Sequence, residues 1–186
     1  MTVAFPRASS PELKPYIRPL GSMMLAYGRA HEAVVDLALL EIANEVEARK
    51  YVAGTEELPK KMRRLLRCKL DGHRFEAMNR HLKRLSVVAK ERHNLIHGEW
   101  WFDPFDGGRL VVRRLHRNTL THELHVTPDQ IDAWTATLEE IADELELIQE
   151  GASRELEASG DEVPTPPPTS PLRTLLRRLR LVRRRG

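Results

Sequence analysis

A mainly α-helical bundle carrying a small antiparallel β insertion is the fold class this sequence predicts, and three observations predict it. Two long stretches repeat apolar side chains in steps of three and four: Phe75, Met78, Leu82, Leu85 and Ala89 in the first, then Ile131, Trp134, Leu138, Ile141, Leu145 and Ile148 in the second. That spacing lines one face of an α-helix. Between them, after Gly98, the period changes to two, as in strands whose successive side chains alternate between faces. Glycine, proline and short polar residues fall where the period changes, so they punctuate the elements.

Taken in order, residues 1–20 carry Pro6, Pro11, Pro15 and Pro19 and read as an irregular N-terminal arm, because each proline removes a backbone donor. Residues 21–160 read as the helical domain. From Ser22 to Val52 no proline interrupts, and Val35, Leu39, Ile42 and Val46 form a stripe opposite Glu32, Asp36 and Glu47, which predicts one long amphipathic helix. Gly54 and Thr55 break it. Pro59 then suits the first turn of a shorter helix bearing Lys60, Lys61, Arg63, Arg64, Arg67 and Lys69. Asp71-Gly72 turns the chain into the helix that runs to Gly98.

Trp100 to Phe102, a turn over 103–108 and Leu110 to His116 read as a hairpin, and Thr121 to Val126 as a third strand, an insertion over about 99–127. Thr127-Pro128-Asp129-Gln130 supplies an N-cap threonine, a first-turn proline and a glutamine at the third helical position. The helix that follows presents its apolar seam either to a bundle core or to a dimer coil, with core packing the expectation. Residues 161–171 form a Pro-rich linker. Residues 172–186 form a basic amphipathic tail in which Leu172, Leu175, Leu176, Leu179 and Val182 alternate with seven arginines. This tail suits contact with RNA, an acidic protein or an anionic membrane, and equally a disordered segment with no dedicated partner.

At 186 residues the chain allows one ordinary domain with extensions. No apolar run approaches the roughly 20 residues that span a bilayer. The start Met-Thr-Val-Ala-Phe-Pro-Arg lacks a secretory signal pattern, and a single cysteine precludes an internal disulfide, so a cytoplasmic location is expected. Cys68 is expected to be a half-buried structural thiol. The formal charge of +3 becomes −4 without the tail, so most basicity is appended to a mildly acidic body. Within that body, residues 60–93 hold twelve Lys or Arg, while Glu139 to Glu162 hold ten acidic residues. The basic block either follows a phosphate backbone, with Arg63, Arg64 and Arg67 as candidates, or is a solvated face paired with the acidic last helix.

The segment Arg92-His93-Asn94-Leu95-Ile96-His97-Gly98 places chemistry at the end of a helix. The apolar stripe of that helix continues into Arg92, His93 and Ile96, so charge enters a face meant for packing. At about 100° per residue, Arg92 falls near one edge of the stripe and His93 and His97, one turn apart, near the other. An arginine there requires an anion, a partner or a wet cleft to compensate its lost solvation. Together with histidine, which exchanges a proton near neutral pH, it suits a phosphate site. The plainer reading makes these residues helix end-caps, since cations favour the negative end of the helix dipole.

The order of arginine, polar residue, three intervening residues and histidine, here Arg92, His93, Asn94, Leu95, Ile96 and His97, resembles the Arg-x4-6-His motif of the HEPN superfamily (higher eukaryotes and prokaryotes nucleotide-binding domains). The resemblance covers about residues 20 to 150. It implies a HEPN-like antiparallel helical bundle with the motif near the end of a long helix, a homodimer with a composite site, and a metal-independent endoribonuclease of bacterial toxin or defence type. In that chemistry the RNA 2′-hydroxyl attacks the adjacent phosphate. The resemblance implies that His97 assists proton transfer and Arg92 holds the phosphate, with His93 or Asn94 in a supporting, orienting role. Other members bind nucleotides or serve a second protein, so the alternative is a non-catalytic nucleotide-, RNA- or protein-binding module. An antitoxin or other protein partner fits either reading.

Metal chemistry is the rival to acid-base chemistry, because His93 and His97 are four residues apart and His116, His122 and His125 lie on predicted strands. His122 and His125, three apart, would point to opposite faces of a regular strand, which counts against a shared ligand set. No Gly-rich phosphate loop, dinucleotide fingerprint or nucleophile elbow is present, and no cofactor is expected.

Overall fold

Helix α1 (Lys14–Ala38) follows a single 3-10 turn (Pro11–Leu13) and runs through two prolines. The structure is a computed structural model and describes residues 11–54, 57–103, 109–116 and 119–159. The expected irregular arm over residues 1–20 is therefore corrected for its second half, and its first ten residues lie outside the described ones. Pro15 occupies the first turn of α1, where backbone N–H groups have no intrahelical acceptor in any case. Pro19 alone removes an interior hydrogen bond, and its ring is buried.

The single helix expected over 22–52 is divided. α1 ends at Ala38, residues 39–44 turn, and α2 (Glu45–Val52) starts afresh. Asn44 caps it, its side chain accepting from the N–H groups of Val46 and Glu47 at 2.9 and 3.2 Å. The break re-aims the stripe and leaves Val46 61 % exposed. α3 (Leu58–Leu66) carries its proline in the first turn and buries Leu58, Met62 and Leu66 completely. Cys68 lies in the turn that follows and is exposed, contrary to the half-buried expectation.

Asp71 caps α4 (Gly72–His97) by accepting from the N–H of Arg74 at 3.0 Å. Strands β1 (Glu99–Asp103), β2 (Arg109–His116) and β3 (Thr119–Val126) form an antiparallel sheet in sequence order. Trp100 pairs with Val112, and Val112 with Leu124, so one cross-strand row faces the core. α5 (Pro128–Ser159) opens on the expected capping box: Thr127 N–H donates to Gln130 Oε1 at 2.9 Å and Gln130 N–H to Thr127 Oγ1 at 3.3 Å.

Three long helices enclose the core. α1 and α5 make the largest interhelix contact and run parallel, because their contacts keep a nearly constant sequence offset: Tyr16 with Val126, then Arg29 with Asp143 and Glu146. α4 is antiparallel to both, pairing Arg84 with Glu140 and Arg74 with Glu155 along α5, and Arg92 with Tyr27 on α1. The seam on α5 is core: Ile131, Leu138, Ile141 and Leu145 are completely buried within this one chain.

The sheet closes the end of the bundle where α1 and α5 begin and α4 ends. Tyr16 donates its hydroxyl to the Val126 carbonyl at 3.1 Å and meets Trp100 edge-on, with ring centroids 6.2 Å apart. Trp100 donates from Nε1 to the Leu95 carbonyl at 2.7 Å. The Pro-rich linker and the basic tail, residues 161–186, lie outside the described residues.

Gly98 is where this junction is tightest. A Cβ there would press on Val112 Cγ1 and come within 2.5 Å of the Asn94 carbonyl oxygen. Gly98→Ala is expected to cost on the order of 1–3 kcal/mol, as for other overpacked sites, read as a lowered urea midpoint at unchanged slope. An unaltered midpoint would show that the sheet can shift off α4 without loss.

Candidate functional site

The buried face of α4 broadens near its end. Met78, Leu82, Leu85 and Ala89 face the core, as expected from their spacing. Continuation of that stripe would bury Ile96, yet Ile96 is 41 % exposed, whereas Asn94 and Leu95 are buried. The sheet is the reason. It packs against the end of α4 through Gly98, Val112 and the Trp100 to Leu95 hydrogen bond, covering the side that carries Asn94 and Leu95. His93, Ile96 and His97 are left outside.

Arg92 turns toward α1. Its guanidinium carbon sits 4.4 Å from the centre of the Tyr27 ring, within range of a cation–π attraction. Its Nε is enclosed without a hydrogen-bond partner. The other half-buried arginines all meet carboxylates: Arg29 meets Asp143 and Glu146, Arg49 meets Glu32 and Glu45, Arg74 meets Asp71 and Glu155, Arg84 meets Glu140, and Arg113 meets Glu123. Among the described residues, Arg92 is thus the half-buried arginine that no carboxylate neutralises.

Tyr27 and His31 are site residues that sequence reasoning did not single out. They lie one turn apart on α1, with ring centroids separated by 6.2 Å. Burial raises the Tyr27 hydroxyl above the ordinary tyrosine value, opposed by the Arg92 charge. Burial likewise holds the His31 imidazole below the usual histidine value; Glu32 opposes this, while Arg49 and Arg92 reinforce it. The signal was present as an i, i+4 aromatic pair, but what the pair faces depends on the contact between α1 and α4.

His93 and His97 are both exposed and their rings lie 4.6 Å apart, inclined at 52°. Arg92 and His97 are five residues apart, which on a regular helix means about 7.5 Å along the axis and about 140° around it. They do not converge within one chain. Asn94, at 3 % exposure, belongs to the packing between α4 and the sheet rather than to the accessible surface.

Arg63, Arg64 and Arg67 are exposed on α3 and the turn after it. Arg67 precedes the start of α4, and the 20 residues from Gly72 to Arg92 rise about 30 Å, so that end of the basic block is far from the motif. The remainder of the block is partly neutralised by the acidic helix, through Arg74 with Glu155 and Arg84 with Glu140, the latter bidentate at 2.8 and 2.7 Å. Among the described residues no group of three or more His, Cys, Asp or Glu gathers as a metal set. His125 lies 3.3 Å from Glu123 on the sheet.

An apolar surface adjoins the motif. Ile17, Met24 and Leu25 of α1 are exposed, Leu25 by 79 %, and Gly21 and Gly28 on the same face have open space around them. Because α1 and α4 are antiparallel with Arg92 at Tyr27, the turn of α4 bearing Ile96 lies beside the turn of α1 bearing Met24. No helix among the described residues is long and apolar enough to cross a membrane.

Two histidines make acid sensitivity a property of this bundle. His81, buried on α4 with Nδ1 lacking a hydrogen-bond partner, is lowered first by burial; Glu144 and Glu140 oppose the shift, and Arg84 and Arg80 add to it. His31 is lowered as described. The unfolded chain then takes up these protons first, so stability is whole above about pH 6.5 and declines as pH falls toward the lower folded values. Urea midpoints are expected to drop between pH 7 and pH 5, with His81→Gln flattening the slope. A slope unchanged in that variant would refute the role of His81. Comparison with known proteins finds no matching family model, no matching curated protein and no matching solved structure.

Proposed function

We propose that this protein is a metal-independent endoribonuclease of the HEPN type, a bacterial toxin or defence enzyme of the cytoplasm acting as a homodimer. The observation that carries the reading is Arg92: a half-buried guanidinium that no carboxylate pairs with among the described residues, on the same last turns of α4 as an exposed His93–His97 pair. An arginine fork left unspent matches two phosphate oxygens, and an exposed imidazole matches proton transfer.

In the reaction the RNA 2′-oxygen bonds to the adjacent phosphorus and the bond from phosphorus to the 5′-oxygen breaks. The 2′-hydroxyl proton passes to a base, and the departing 5′-oxygen takes a proton. His97 serves that transfer, Arg92 stabilises the charge on the non-bridging oxygens, and His93 orients His97. Since Arg92 and His97 diverge on one helix, a second copy completes the site. The exposed Ile17, Met24, Leu25 and Ile96 around the motif supply the surface for that copy. Arg63, Arg64 and Arg67 are left for the RNA backbone away from the cut.

Cleavage of a mixed single-stranded RNA in excess EDTA is expected to yield 2′,3′-cyclic phosphate ends. Arg92→Ala and His97→Ala, each folded and dimeric, are expected to lose at least about 100-fold. A mixture of the two inactive variants is expected to recover part of the activity by exchanging subunits. Equal cleavage by all three proteins would sink the reading. Absence of cleavage together with retained RNA binding would favour the non-catalytic module.

Leu25→Glu tests the interface separately. The side chain is exposed, so folding stability should change by no more than about 0.5 kcal/mol, while sedimentation should report monomer and cleavage should fall with it. A variant that stays dimeric and active would move the interface elsewhere.

A further inference from the structure

We infer that Tyr27 is a positioning residue for phosphate recognition, holding the Arg92 guanidinium over its ring so that the terminal N–H donors are not committed to a carboxylate. The inference rests on the phosphate-binding role given to Arg92 above and extends it to a second helix.

A guanidinium can be fixed in two ways. A carboxylate binds the edge, where the N–H donors lie, and thereby occupies the donors that would recognise an anion. An aromatic ring binds the face and leaves those donors uncommitted. Arg29, Arg49, Arg74 and Arg84 are held in the first manner, and Arg49 at 2.6 and 2.7 Å from Glu32 is the clearest instance. Arg92 lies over the Tyr27 ring instead, with its guanidinium carbon 4.4 Å from the ring centre.

The surroundings of Tyr27 suit this task. Its ring is partly buried in the core between α1 and α4, which limits its motion. His31, one turn along α1, lies beside the ring and adds no carboxylate. Glu32, the first acidic residue after Tyr27 on α1, pairs with Arg49. The arrangement therefore spares Arg92 the competition that an acidic neighbour would bring. Only an aromatic side chain at position 27 meets the requirement, and the hydroxyl group takes no part in it.

The test compares Tyr27→Phe, which keeps the ring, with Tyr27→Leu, which keeps bulk without a π face. In the RNA cleavage assay Tyr27→Leu is expected to lose roughly three- to thirty-fold in kcat/KM, the range a partly desolvated cation–π contact carries. Tyr27→Phe should remain within about twofold of the unaltered protein. The double variant Tyr27→Leu with Arg92→Ala should be no worse than Arg92→Ala alone, because the ring acts through the arginine. A Tyr27→Leu protein with unaltered kinetics, or losses that multiply in the double variant, would overturn the inference.

A second measurement separates this inference from the nuclease reading. The guanidinium N–H resonance of Arg92, identified by its loss in Arg92→Lys, is followed by NMR while inorganic pyrophosphate is added. A resonance that responds in the unaltered protein and in Tyr27→Phe, but needs roughly three- to thirty-fold more pyrophosphate in Tyr27→Leu, supports the inference even where no RNA is cut. Identical titrations in all three proteins, or no response in any, would overturn it.

Discussion

The parallel contact between α1 and α5 is the constraint from which the remaining architecture follows. Ala26, Ala30 and Ala33 give α1 a small-residue face that permits close helix approach, and α5 answers with Ile131, Leu138, Ile141 and Leu145. Parallel neighbours cannot be joined by a short turn, so the chain between Leu39 and Thr127 must travel to the far end of the bundle and return. α4 makes the return, its 26 residues spanning about 39 Å. Its last turn consequently arrives beside the Met24 turn of α1 and the first turn of α5. That convergence sets Arg92 against Tyr27 and leaves the sheet to cover the common end.

Electrostatics then separates the arginines paired with carboxylates from Arg92. The acidic α5 is stitched to its neighbours by Arg29, Arg74 and Arg84, each across an interhelix groove. These pairs are partly exposed, and each contributes little alone; their value lies in fixing the register of α1 and α4 on α5. The Arg49 charge is held even more firmly, its guanidinium raised in pKa chiefly by the Glu32 hydrogen bonds. Against that pattern Arg92, half-buried on an aromatic ring with no carboxylate paired to it among the described residues, stands apart. Its desolvation is offset by a neighbour that does not consume its donors, which on the proposed reading leaves them for a phosphate.

Much of the fold was legible in the sequence because its signals are local. Asp71, Gly98 and the Thr127 to Gln130 box mark element ends by capping chemistry that depends on a few adjacent residues. The alternation after Gly98 marked the strands, and the periodicity of α5 marked its buried seam. Three things were not legible. Prolines spaced by four looked like a barrier, yet Pro15 falls where a helix lacks the hydrogen bond anyway, and only Pro19 is interior. Asn44 was read through as mid-helix, although it is a capping residue, because the apolar period continued across it. Most tellingly, the stripe on α4 was extended straight to Ile96, while burial in the last turn falls on Asn94 and Leu95. The motif was visible, but the partner of its arginine was not, since Tyr27 is 65 residues away in sequence and meets Arg92 only through the packing of α1 on α4.

The same sheet that ends α4 also governs what its last turn presents. By covering one side of the helix it fixes the position of the Gly98 stop, through the Trp100 and Val112 contacts, and it confines exposure to His93, Ile96 and His97. Arg92, a third of a turn behind, is held at the border between this exposed surface and the α1 groove. On the proposed reading that border has a consequence. Two groups diverging by about 140° on one helix can act on one phosphate only when a second helix supplies the complement, and α1 and α4 both carry exposed apolar residues that a second copy would cover. Catalytic site and dimer interface are then a single surface, so a substitution that parts the subunits removes the chemistry without touching a reacting group.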